Sequence, residues 1–521
     1  MKSSFWGSGI HRYPFYVKLM SAVMCGVMGI IFCASCVNNG ASKNSSSSGS
    51  MYGGEVILGI TQEPAIFDPH TVEAAGDEEI LFNIFEGLVK CTSTGEFIPA
   101  LSTSYTISED ATMYVFTIRQ GVTFHNGEVM TPEDVVYSIS RAAGLDTGLP
   151  LKRGLADVKS AEVTGDFEVT VTLKNPDAEL IAFFNAAIIP ASIADIDKTP
   201  IGTGPFKFVS YSVGESVILE KNASYWQEGV PYLDKVTFKV TADMDAAFME
   251  LRSGSIDIFP YLTSDKAAQL KDDYQILSGD MNAVQIFALN NDVEPFNNPK
   301  VREAMNYAVD REELISLLMD GVGTRLVTGM SPAMGDYYNT SLDGSFPYDA
   351  DKAIALLTEA GYPDGFSATI TVPSNYKIHV KTAEILESQL SRVGIDITIV
   401  SVDWATWLND VYLDRNYEST VIALTSEYAP RDVLSRYVSD SDFNFINYSS
   451  AAYDEAYSQV ITELDQSTRV ELYMDLQSYL LTDSASVYLQ DPQNIVAVNK
   501  ELSGYLVYPI YVQDMSTVHY N

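Results

Sequence analysis

Residues 113–138 read MYVFTIRQGVTFHNGEVMTPEDVVYS. Tyr114, Phe116 and Ile118 recur at every second position, the period of a strand with one covered face. Further on, Thr131 can accept a bond from the backbone of Asp134, Pro132 suits the first helical position, and Asp134 can return the bond. The spacing therefore predicts a strand, a turn and a capped helix opening on Val135 and Val136. Strand and helix in such quick succession mark a mixed α/β chain.

The flanks repeat the alternation. Toward the N-terminus, 55–60 reads as a first strand, and 76–88 as a helix with Ile80, Leu81, Ile84, Phe85 and Leu88 on one face. Toward the C-terminus, 168–173 is a strand, and 206–211 with 217–219 form a hairpin about Ser212 to Glu215. A further strand is expected at 236–240, and a helix at 245–252 that stops near Gly254. Asn298-Pro299 opens a helix with Val301, Ala304, Met305 and Ala308 on one face, and Asp310 with Glu313 restarts it as a capping box. Residues 378–393 are amphipathic up to Gly394, 395–400 is a β-branched strand, and helices are expected at 349–360, 406–413, 452–464 and 466–481. Residues 487–498 return to strand.

The first fifty residues differ from the rest. Lys2, Arg12 and Lys18 precede an apolar run from Leu19 to Phe32, and a tract rich in Asn, Ser and Gly follows to Ser50. That run is about 14 residues, short of the roughly 20 a helix needs to cross a bilayer, so it reads as a secretory signal over 1–35. Ala34 and Ser35 before Cys36 resemble a bacterial lipoprotein processing site, with Cys33 where such sites usually carry Leu. The resemblance implies lipid on the Cys36 thiol, a flexible tether over 36–51, and an extracytoplasmic, membrane-anchored mature chain.

Composition narrows the partners. The 521 residues suffice for two or three domains, and 46% apolar content fits a packed protein. The formal charge is −37, and removal of the basic signal takes it further negative. A chain this acidic argues against nucleic acid, whose phosphates need a basic face, and against electrostatic adhesion to anionic lipid. Of the four cysteines only Cys91 lies beyond the signal and lipidation site, so no intrachain disulfide is expected in the mature form. No phosphate-binding glycine loop, zinc spacing or nucleophile elbow occurs, and His70, His125, His379 and His519 are scattered along the chain. No enzyme motif, metal site or cofactor is expected.

Four stretches together carry a resemblance. They are Glu63-Pro64-Ala65-Ile66-Phe67-Asp68-Pro69; residues 114–128 with 131–138; Gly202-Thr203-Gly204-Pro205-Phe206-Lys207, with 222–226 and Leu233-Asp234 after it; and 298–311. In order and spacing the chain is similar to the extracytoplasmic solute-binding proteins of ABC importers, in the family that takes oligopeptides, dipeptides and nickel complexes (family 5). The resemblance implies an α/β, bilobed periplasmic-binding-protein-like fold, class II in its large three-domain variant, with a ligand cleft between lobes that close by hinge motion. The expected division is lobe I at 52–90, 191–282 and 486–521, an inserted domain at 91–190, and lobe II at 283–485. The implied function is capture of a short peptide by a monomer and its delivery to a permease and ATPase complex. A metal chelate, a sugar, an extracytoplasmic hydrolase or a signalling role are the alternatives.

In the peptide-binding branch an acidic residue after an apolar strand of lobe II meets the peptide's α-ammonium. Here strand 419–424 leads to Glu427, and Asp432 is the alternative. The family's residue there is usually Asp, and the segment to the proline is one residue shorter in this chain. Tyr428 belongs to the same loop. Arg431 or Arg436 could hold a ligand carboxylate. Trp404 and Trp407 follow a strand and could line the pocket or pack in the core. Asn375, Tyr376 and His379 begin a helix and could face the cleft. The nickel branch has a histidine where Arg431 stands, which disfavours direct nickel ligation.

Overall fold

A computed structural model describes residues 51–72, 74–425 and 429–521. Two large sheets organise them. The first runs in the spatial order Tyr274–Gly279, Asn494–Asn499, Ile258–Phe259, Glu55–Ile60, Lys235–Val240, Ser216–Lys221, Phe206–Ser212 and forms lobe I. Its first strand lies parallel to Lys235–Val240, from Glu55 opposite Lys235 to Ile60 opposite Val240. The second, lobe II, runs Gly323–Arg325, Val487–Pro492, Ala283–Leu289, Ser419–Thr425, Phe366–Pro373, Ile395–Val402. Its strand Ala283–Leu289 is buried at every position, because alternate residues feed two cores. Val284, Ile286 and Ala288 join one cluster with Trp407 and Tyr453, while Phe287 and Leu289 join another with Val301 and Met305.

The segment quoted first lies in a separate antiparallel sheet of four strands, Ser102–Ile107, Met113–Ile118, Glu168–Leu173 and Val158–Gly165. Tyr114, Phe116 and Ile118 point into its core beneath the helix Pro132–Ala142. The capping box forms as expected: Thr131 N donates to Asp134 Oδ2 at 2.9 Å, and Asp134 N donates to Thr131 Oγ1 at 3.4 Å. This inserted domain is bound firmly to lobe I. Arg141 donates to Asp68 Oδ1 at 3.0 Å, Lys152 Nζ to Val72 O at 3.3 Å, and His125 N to Gly202 O at 2.9 Å. Gly202 and Gly204 are glycine because a Cβ on them would lie 2.1 Å from Ile84 O and 2.6 Å from Asn83 O.

Two expectations change. The helix expected over 76–88 ends at Leu81. Asn83 is instead drawn into a tertiary bridge, donating to Gln513 O at 2.8 Å and accepting from Met515 N at 3.0 Å. The strand expected over 487–498 is two strands in different sheets: Val487–Pro492 belongs to lobe II and Asn494–Asn499 to lobe I. The chain thus crosses between lobes at residue 493, beyond the division expected at 486, and the other crossing lies between Gly279 and Ala283. Among the described residues no helix is long and apolar enough to cross a membrane. The apolar clusters are built from residues between Val56 and Val518.

Candidate functional site

Three neighbouring strands of lobe II run parallel and end at one edge of its sheet. Phe366–Pro373 pairs with Ile395–Val402 up to Pro373 opposite Val402, and also with Ser419–Thr425 through Ile370 opposite Ser419. Ligands of open α/β sheets bind at such carboxyl ends. The segments leaving this edge carry Asn375 and Tyr376, Trp404 and Trp407, and, beyond the residues that are not described, Arg431 and Asp432. Ser374 N donates to Val402 O at 2.8 Å and ties the first two loops together.

The two tryptophans divide the roles left open above. Trp407 is 2% exposed, and its indole donates to Thr420 Oγ1 at 2.9 Å, which itself donates to Thr371 O at 2.6 Å. It is a core residue. Trp404 is 39% exposed and stacks on Trp407 with centroids 5.2 Å apart and planes 12° apart. Tyr376, also exposed, meets Trp404 edge-on at 5.4 Å. Asn375 is exposed beside it. His379 is buried next to Gln285, and desolvation pushes its pKa down to about 4, so the ring is neutral at physiological pH.

A polar group in lobe I was not singled out in the sequence. Tyr261 donates to Glu79, which also accepts from Gln513 Nε2 at 3.2 Å. Burial raises the pKa of Glu79, and the bonds from Tyr261 and Gln513 oppose the shift. Tyr511 lies 6.2 Å from Tyr261. Its phenol pKa is raised by burial first, then by Glu79 and by Tyr376.

Glu427 and Tyr428 lie outside the described residues, as does Cys36. Arg431 is engaged within the protein: its guanidinium pairs with buried Asp177 and lies 5.1 Å over the Phe183 ring. Arg436 donates to Thr425 O at 2.6 Å. Among the described residues nothing hydrogen-bonds or ion-pairs with the Asp432 carboxylate, whose charge acts on the buried Tyr457 phenol. No group of three or more His, Cys, Asp or Glu among the described residues could hold a metal ion.

The family model for bacterial extracellular solute-binding proteins, family 5, matches residues 96–445. The chain belongs to that family. It is 26% identical over 485 residues to the glutathione-binding protein GsiB of Pectobacterium atrosepticum, covering 87% of this chain and 92% of that one. It is 27% identical over 525 residues to the oligopeptide-binding protein AppA of Bacillus subtilis, covering 95% of this chain and 96% of AppA. The solved structure of DppA from Helicobacter pylori in complex with the peptide STSA superposes with a TM-score of 0.75 at 27% identity, over 90% of this chain and 98% of DppA. The bilobed α/β architecture is thus that of the family 5 binding proteins, which serve ABC importers outside the cytoplasm.

Proposed function

We propose that this chain is the substrate-binding subunit of a peptide importer. It holds a short peptide between the lobes and passes it to a permease and ATPase complex, catalyses no reaction, and is tethered to the membrane by lipid on Cys36. One observation carries the reading. Three parallel lobe II strands end at one edge of the sheet, and exposed Tyr376 and Trp404 meet edge-on there. Tyr376 and Trp404 offer flat apolar area to a peptide side chain. Both arginines near the loop are occupied within the protein, whereas the Asp432 carboxylate has no partner among the described residues, and Glu427 in the same segment supplies a second acid. An α-ammonium's desolvation must be offset by such a carboxylate.

Thermal unfolding of the chain from Met51, which holds every described core, tests the reading. Peptides of two to six residues, Ni(II) with and without histidine, and oligosaccharides are the probes. A peptide at 100 times its dissociation constant should add roughly 2.7 kcal/mol of stability. Glu427→Ala should abolish the shift; if Asp432→Ala abolishes it instead, the anchor is Asp432. Trp404→Ala should weaken binding by about tenfold with little loss of stability, whereas Trp407→Ala should lower the melting temperature of the ligand-free protein. A shift with the chelate or sugar alone overturns the peptide assignment.

A further inference from the structure

The polar contacts of lobe II with the inserted domain concentrate on one short turn, Asp177-Ala178-Glu179. Asp177 pairs with Arg431, and their side chains are 4% and 19% exposed. Ala178 N donates to Ile461 O at 2.8 Å. Glu179 accepts from Tyr473 and faces Arg469 Nε at 3.4 Å. Arg153 lies 5.3 Å over the Phe443 ring, and Ala429 is buried in the inserted domain's own core. The turn is rigid from its own side: Asp177 N donates to Ala111 O at 2.8 Å, Tyr114 Oη donates to Asp177 O at 2.8 Å, and Glu179 N donates to Asp177 Oδ1 at 2.9 Å.

The mechanics follow from what holds each body. The inserted domain is fastened to lobe I by the Arg141–Asp68, Lys152–Val72 and His125–Gly202 bonds. Lobe II is joined covalently to the rest only by the two crossings near 280 and 493. When lobe II swings, the hinge bends and the contacts to the 177–179 turn are what part. We propose that Asp177-Ala178-Glu179 is a clasp that forms as lobe II closes, and that Asp177 and Glu179 are positioning residues for the ligand loop. Arg431 sits at the end of that loop, at the start of the helix Pro430–Leu434. Seating Arg431 on Asp177 and seating ligand on the same loop therefore favour one closed state, and each strengthens the other. The charges suit a clasp more than a permanent joint. Two carboxylates hydrated in the open form lose water on closure, and Arg431, Arg469 and the Tyr473 hydroxyl compensate only when lobe II arrives.

The inference rests on the binding-protein reading, but not on which acid anchors the ligand. Its test uses the chain from Met51 with dyes on Val213→Cys in lobe I and Leu317→Cys in lobe II, both well exposed, while Cys91 stays buried. In the Asp177→Asn/Glu179→Gln double variant, ligand-free energy transfer should fall toward the open state. With a bound peptide, the dissociation rate should rise on the order of tenfold while the association rate holds, since the clasp acts after encounter. Tyr473→Phe, which removes one hydroxyl, should move both readings in the same direction and serves if the double variant does not fold. Wild-type transfer efficiency and dissociation rate in the variant that folds would overturn the clasp. A changed ligand-free distribution with no response to any peptide keeps the clasp and overturns the peptide reading.

Discussion

Arg311→Met should destabilise the protein by about 3 kcal/mol or more, because it strips a charged donor from several buried acceptors at once. The Arg311 side chain is sealed in lobe II. Its Nε donates to Tyr488 O at 2.6 Å, Nη1 to Asn306 O at 3.0 Å and Nη2 to Asn306 Oδ1 at 2.7 Å. Among the described residues no carboxylate pairs with it. Burial first, and then the charge of Arg325, bring its pKa down to about 9, so it is still protonated at neutral pH. Two effects compete. Methionine removes the cost of burying a lone charge, but three oxygens lose their partner, and each orphaned buried acceptor costs about 1–3 kcal/mol. The second outweighs the first because Arg311 also joins two elements: Asn306 donates onward to Ser486 O at 3.0 Å, coupling its helix to the strand Val487–Pro492. Urea unfolding followed by lobe II tryptophan fluorescence measures the loss. The double variant Arg311→Met/Asn306→Ala should cost less than the sum of the singles, since the asparagine acceptor is then gone. A loss under about 1 kcal/mol would show that the buried charge was the greater burden.

Arg311 and Asn306 also show what the sequence could tell. They fall in a stretch that identified the family, and the structure gives them scaffold duties, as it does Gly202 and Gly204. Local signals were legible wherever local chemistry decides the outcome: the alternation at Met113–Ile118, the Thr131 box, and the Asp310 cap that accepts from Glu313 N at 3.0 Å. They misled where a distant partner decides. Nothing in residues 76–88 announces that Asn83 will bond Gln513 and Met515 and stop the helix. Nothing in the apolar run 487–498 reveals that it changes sheets midway, since both halves are buried strands. The site was half legible for the same reason. Strand order and the family resemblance named candidates, and the structure brings Asn375, Tyr376 and Trp404 to one edge of the lobe II sheet. A spacing of three could not say which tryptophan turns inward, and the partner of Arg431 lies in another domain. Tyr511 and Glu79 escaped because their place depends on the C-terminal segment folding back onto lobe I.

Asp491→Asn should stabilise the protein at pH 8 and do almost nothing at pH 4. Asp491 lies on the crossing from lobe II to lobe I, buried, accepting from Ser331 Oγ and from Met281 N at 3.1 Å. Asp280, on the other crossing, accepts from Thr324 Oγ1 at 2.8 Å and is the charged group facing it. Burial first, with the negative charge of Asp280 adding to it, raises the Asp491 pKa to about 7, while the bonds from Ser331, Met281 and Ala283 oppose the rise. The sign follows from linkage. The unfolded chain releases this proton near pH 4, whereas the folded chain keeps it until about pH 7, so the folded state is progressively penalised across that window. The penalty is fully present above pH 7 and absent below pH 4. A shift of this size corresponds to roughly 4 kcal/mol at its upper limit. Asparagine keeps one oxygen to accept from Met281 N, and its NH2 can donate to the Ser331 hydroxyl oxygen, without the charge, so the variant's advantage should grow from pH 4 to pH 7 and then level off. Urea midpoints of wild type and variant from pH 4 to pH 8 measure that curve. A difference independent of pH would mean that Asp491 titrates like an exposed carboxylate, with the hinge carrying two full negative charges throughout.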